Sequence, residues 1–167
     1  MTNPASISRR TFLTGGNEQP VQRIVPPGVM EDGLGSCTGC GACVEACPTA
    51  IIAMVAGKPS LDFMAGECLL CGDCATACPE LVFDRASTPV FSHVVAISDD
   101  CLARNGISCM TCRDACPQAA ISFRPRIGGP FLPELREAAC TGCGACIAPC
   151  PARAIAIARQ LAEAAHA

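Results

Sequence analysis

Cys37-Thr38-Gly39-Cys40-Gly41-Ala42-Cys43-Val44-Glu45-Ala46-Cys47-Pro48 carries four thiols in one short run and closes it with a proline. Cys140, Cys143, Cys146 and Cys150-Pro151 repeat that spacing, as do Cys68, Cys71, Cys74 and Cys78-Pro79. A further run, Cys101, Cys109, Cys112 and Cys116-Pro117, differs only in its first interval, which holds Leu102 to Ser108 instead of two residues. Together the four runs use all 16 cysteines of the 167-residue chain.

The pattern C-x2-C-x2-C-x3-C-P is the spacing with which bacterial ferredoxins hold cubanes of four irons and four sulfides. Three closely spaced thiolates wrap one corner of a cube. The fourth must come from another run, because a chain turning that tightly cannot return its next cysteine to the same cluster. The expected fold class is therefore α+β, as two tandem 2x(4Fe-4S) ferredoxin-like units with short strands and short helices. Four 4Fe-4S clusters are expected. In two-cluster ferredoxins the fourth cysteine of each run serves the other cluster. Applied here, Cys37, Cys40 and Cys43 share a cluster with Cys78, and Cys68, Cys71 and Cys74 share one with Cys47. In the second unit Cys101, Cys109 and Cys112 go with Cys150, and Cys140, Cys143 and Cys146 go with Cys116. Nested pairing of outer runs with inner runs is the alternative.

Two other uses of cysteine fit less well. Disulfides belong to short secreted chains, and the intervals here are metal intervals. Zinc sites use two separated C-x2-C pairs, whereas each run here supplies more thiols and then Cys-Pro. Glycines between the ligands (Gly39, Gly41, Gly142, Gly144) let backbone approach the cluster and turn N–H groups toward its anionic sulfurs. The proline after the fourth cysteine fixes φ and steers the chain away. Full cysteine ligation leaves no iron open to substrate, and no nucleotide-binding, nucleophile-elbow or zinc-protease motif occurs. The chain is expected to be an electron-transfer protein and not an enzyme. His93 and His166 are expected to be structural and not ligands.

The rest of the composition agrees. There is no Trp or Tyr and there are 6 Phe, so large core side chains are few. Small cores need metals or cross-links to persist, and the clusters are expected to supply that stability. The net charge of −3, with no aromatic-interleaved basic strip, argues against nucleic acid as a partner. No apolar run reaches the length of a transmembrane segment.

Short apolar stretches follow each Cys-Pro: Ala50 to Val55, Leu81 to Phe83, Ala119 to Phe123 and Ala154 to Ile157. Their Ile, Val and Phe content predicts short strands, with turns at Gly57-Lys58-Pro59 and Gly128-Gly129-Pro130. Phe91 to Ile97 reads as a lead strand closed by Ile155 to Ile157. The counterpart in the first unit is weaker, over Val21 to Val25. The expected organisation is an arm over 1–29, one unit over 30–90, a second over 91–158, and a mildly amphipathic helical tail over 159–167. The widened interval after Cys101 is read either as a docking loop beside one cluster or as a tolerated insertion; displacement of Cys101 is a third option.

Ser8-Arg9-Arg10-Thr11-Phe12-Leu13 matches a twin-arginine export pattern, but Thr14 to Pro20 is polar and turn-forming where an apolar core is required. The expectation is a retained cytoplasmic arm. With the arm, the run from Cys37 and the widened Cys101–Cys109 interval in view, the chain resembles the NapF family, ferredoxin-type accessory proteins of periplasmic nitrate reductase systems. The resemblance covers nearly the whole chain. It implies a cytoplasmic iron–sulfur protein that meets the nitrate reductase catalytic subunit before export and assists its maturation by electron or cluster delivery, fed by an unidentified electron donor. A general polyferredoxin or respiratory-chain subunit is the alternative, and an intact-cluster carrier a third.

Overall fold

The computed structural model describes residues 23–86 and 88–159. The twin-arginine stretch and the tail beyond Arg159 lie outside the described residues.

Three two-stranded antiparallel ribbons carry the fold. Strand β1 (Ile52–Val55) and β2 (Lys58–Leu61) form a hairpin with Ile52 opposite Leu61. Its two-residue turn is Ala56-Gly57, with φ of 48° and 70°, the positive values that suit the right-handed twist of a tight hairpin. The return strand thus starts at Lys58, earlier than the Gly-Lys-Pro sequence predicts. Pro59 stands in β2 opposite Met54; a ribbon of two edge strands tolerates a residue without an N–H.

Strand β3 (His93–Ile97) pairs with β6 (Ile155–Arg159), with Val95 opposite Ile157 and Ile97 opposite Ile155. This is the expected lead-and-close ribbon. Strand β4 (Ile121–Arg124) and β5 (Leu132–Leu135) repeat the first hairpin, with Ile121 opposite Leu135. Both hairpins are prolonged by one equivalent hydrogen bond: Asp62 N–H to Ile51 O at 2.8 Å and Arg136 N–H to Ala120 O at 2.9 Å. The internal repeat therefore holds at the level of single bonds.

The first unit's lead-and-close ribbon shrinks to a bridge between Val29 and Phe83. It is flanked by Met30 N–H to Val82 O (3.0 Å) and Asp84 N–H to Gly28 O (2.8 Å). The pairing residues lie after Pro26-Pro27, which corrects the expectation over Val21 to Val25 as far as Arg23 to Val25; Val21 and Gln22 lie outside the described residues. Prolines cannot donate to a ladder, and the segment before them takes another partner: Leu61 N–H donates to Ile24 O at 2.7 Å. Leu81 to Phe83 is likewise a turn with one bridge residue and not a strand.

The α-helices among the described residues are single turns inside the cysteine runs: α1 (Ala42–Glu45), α2 (Asp73–Ala77) and α3 (Thr111–Asp114). Each is too short to stand alone and is held by what it packs on. One apolar cluster joins both units. It includes Ile51, Leu61, Phe63 and Val82 from the first, and Val95, Ile121, Ile147 and Ile155 from the second, together with buried cysteines. No polar side chain is buried among the described residues.

Candidate metal centres

Four cavities open beside the one-turn helices and cysteine loops, and every cysteine lines one of them. The first is walled by Cys37, Cys40, Cys43 and Cys78, with Met54, Pro59 and Val82 behind. The second gathers Cys47, Cys68, Cys71 and Cys74 beneath Pro26 and Pro27. The third has Cys101, Cys109, Cys112 and Cys150, and the fourth Cys116, Cys140, Cys143 and Cys146. These are the crossed foursomes, three thiols from one run and one from the other run of its unit. The space free of protein atoms is similar throughout, ≈ 360, 300, 340 and 320 Å³ for the second, fourth, third and first.

The donor set is chemically right for a cubane: soft sulfur ligands around a walled space. No three His, Cys, Asp or Glu side chains among the described residues converge closely enough to hold one metal ion. Cys101 reaches its cavity despite the widened interval. The intervening residues fold back as a compact turn. Ala103 is fully buried, and Asn105 Nδ2 donates to Asp99 O at 2.6 Å and to Cys101 O at 3.0 Å.

The backbone around the fourth cysteine of three runs follows one device. After Cys47-Pro48, Cys116-Pro117 and Cys150-Pro151 the chain enters positive φ at Ala50 (53°), Ala119 (46°) and Arg153 (50°). Each of these residues donates its N–H to the cysteine carbonyl three positions back at 3.1 Å. The next N–H then meets sulfur: Ala120 to Cys116 Sγ and Ala154 to Cys150 Sγ, both at 3.3 Å. Such donors favour the anionic sulfur and tune a bound cluster. Thr49 and Thr111 add hydroxyls at 3.5 Å from Cys47 Sγ and 3.6 Å from Cys109 Sγ. Cys78-Pro79 has no such turn; neither Glu80 nor Leu81 has positive φ, and Arg85 instead donates to Cys78 O. Sequence inspection missed this device, since nothing about Ala or Arg marks a left-handed residue; the constant distance from each Cys-Pro was the available signal.

The third cysteine of each run is buried, and burial raises its thiol. Burial pushes Cys74 and Cys112 up to about 11 and Cys146 up to about 12, with neighbouring thiolates adding to it. Cys43 and Cys68 are raised for the same first reason. Burial also acts on Cys47, but the Thr49 hydroxyl and backbone N–H groups of Ile51, Thr49 and Ile52 outweigh it and draw that thiol down. His93 lines none of the four cavities. Its Nε2 lies 3.0 Å from Gly142 O, and burial lowers its basicity. His166 lies outside the described residues.

The family model for the 4Fe-4S dicluster domain matches residues 36–82 and again 107–154. The chain is 40% identical over 151 residues to the ferredoxin-type protein NapF of Escherichia coli K12, covering 89% of this chain and 92% of that protein. It is also 40% identical over 163 residues to NapF of Haemophilus influenzae, covering 90% and 93%. The chain belongs to the NapF family of ferredoxin-type proteins. Kinship thins beyond it: NapG of Escherichia coli K12 is 31% identical over 154 residues, covering 77% of this chain and 66% of its own. As a NapF-family member with two dicluster domains and 16 cysteines, the chain is a carrier of four 4Fe-4S clusters that transfers electrons and is not an enzyme. Among the described residues no helix is long and apolar enough to cross a membrane.

Proposed function

We propose that each cavity holds one cluster through its crossed foursome: Cys37, Cys40, Cys43 and Cys78; Cys68, Cys71, Cys74 and Cys47; Cys101, Cys109, Cys112 and Cys150; and Cys140, Cys143, Cys146 and Cys116. The chain so loaded serves, in the cytoplasm, the catalytic subunit of a periplasmic nitrate reductase before that subunit is exported, delivering electrons that mature or activate it. Bound clusters supply reversible one-electron storage. The protein residues do the rest. Ile51, Val82, Ile121 and Ile155 wall the cavities from water, and the turns at Ala50, Ala119 and Arg153 aim N–H groups at sulfur. Four cysteines per cavity leave no position for substrate, so the electrons must be used on another protein.

The observation that carries this reading is the match to NapF proteins along about nine-tenths of both chains, joined to a complete thiol foursome at every cavity. The test is an anaerobic pull-down of the loaded full chain with the nitrate reductase catalytic subunit, once with its export signal and once processed. Capture of the signal-bearing form in preference to the processed one is expected. Equal capture of both, or copurification with a membrane complex instead, would favour a standing electron-transfer chain.

A further inference from the structure

The two units touch through their cysteine loops. Cys68 N–H donates to Cys143 O at 2.9 Å, so a residue of the second foursome is bonded directly to a residue of the fourth. Two clamps hold this contact. Phe63, 4% exposed, lies so close over the loop that a Cβ on Gly144 would fall 2.1 Å from its ring. On the other side of the loop, His93 Nε2 bonds Gly142 O at 3.0 Å, and a Cβ on Gly142 would come within 2.7 Å of His93 O. Phe63 and His93 meet edge-on, with ring centres 6.2 Å apart, and Phe91 stacks against His93 at 4.4 Å. Glycine at 142 and 144 is therefore a requirement of the approach as well as of the positive φ of 72° and 78°. Among the described residues no backbone hydrogen bond joins Cys37, Cys40, Cys43 or Cys78 to the second unit, or Cys101, Cys109, Cys112 or Cys150 to the first.

Within the first unit, Cys43 of the first foursome and Cys47 of the second are one turn apart, joined by Val44 with its N–H on Gly41 O and Cys47 N–H on Val44 O. In the second unit, Cys146 of the fourth foursome and Cys150 of the third are one turn apart, joined by Ile147 with its N–H on Gly144 O and Cys150 N–H on Ile147 O. Through-bond contact thus runs from first to second, from second to fourth, and from fourth to third.

We propose that the Cys68–Cys143 hydrogen bond, clamped by Phe63 and His93, is the crossing point for electrons between the two units, so that the four centres form one line with the Cys37 foursome at one end and the Cys101 foursome at the other. Each crossing leaves one side an electron poorer and the other an electron richer, with no proton moved and no bond made. The inference rests on the ligand foursomes proposed above. It assigns the ends to different partners, donor at one terminus and acceptor at the other.

The experiment is EPR of the full chain, loaded anaerobically and reduced with dithionite. Cys101→Ala with Cys109→Ala empties the third centre, leaving the fourth without a neighbour in its own unit. Adding Cys37→Ala and Cys40→Ala retains the second and fourth. Adding Cys68→Ala and Cys71→Ala instead retains the first and fourth and keeps the backbone bond. The first combination should give split, broadened signals from interacting spins, and the second a sum of two simple signals. The reverse pattern, or simple signals in both, overturns the proposal. Loss of iron beyond the emptied centres would count against the foursomes instead. Hydrogen exchange of the loaded wild-type chain reads the junction independently of any variant. The Cys68 amide should be protected and should lose that protection in His93→Ala; exchange at the free rate in wild type overturns the junction.

Discussion

At the residue scale the chain spends backbone strain and thiol burial on its cluster sites. Ala119 sits at φ 46°, a region that costs a non-glycine residue about 1–2 kcal/mol. Ala119→Gly should be neutral or stabilising by about 1 kcal/mol, whereas Ala119→Val, with its branched Cβ, should cost about 2 kcal/mol or more. The midpoint of thermal bleaching of the loaded chain reads both. The buried thiols set a pH dependence. Burial holds the protons of Cys74, Cys112 and Cys146 up to about 11, 11 and 12, against an ordinary 9.0. A raised thiol favours the protonated, metal-free fold below 9.0 and loses that contribution as pH climbs toward 11 and 12. Loading runs the other way, because each ligand must release its proton to bind iron. Reconstitution yield should therefore fall as pH is lowered from about 9, and the metal-free chain should lose residual structure as pH rises above it; circular dichroism and iron assay across that range check the two arms.

At the element scale the three ribbons and three one-turn helices are local consequences of where the cysteine runs bend. The hairpins were legible because apolar strands alternate with Gly-containing turns, and β3 with β6 because Val94, Val95 and Ile155 make an apolar pair of strands. The first unit's reduced ribbon was not legible. Its residues, Val29 and Phe83, carry no periodic pattern, and the Pro26-Pro27 break diverted the candidate strand onto β2. The widened loop after Cys101 has a structural task that its polar sequence hides. Leu102 lines the third cavity, while fully buried Ala103 and the two carbonyls bridged by Asn105 hold the loop behind it. Asn105→Ala leaves both carbonyls without that partner and should cost about 1–2 kcal/mol. The expected readout is faster loss of one cluster's worth of iron to a chelator, with the other three retained.

At the scale of the whole molecule, crossed foursomes could be proposed from sequence because a tight run cannot close on its own cube, with nested pairing as the alternative. The meeting of the two units could not, since Phe63, His93 and the glycines at 142 and 144 are far apart in sequence and none announces the others. One apolar cluster spans both units yet is made mostly of medium-sized side chains, so a chain stripped of its inorganic groups should lose cooperative folding, as small metal-dependent domains do. Function then follows from number, with four 4Fe-4S clusters carried by one small chain. The most direct test of this account is iron and acid-labile sulfide per chain after strictly anaerobic preparation. The account predicts about sixteen of each; about eight, with the chain still compactly folded, would contradict it.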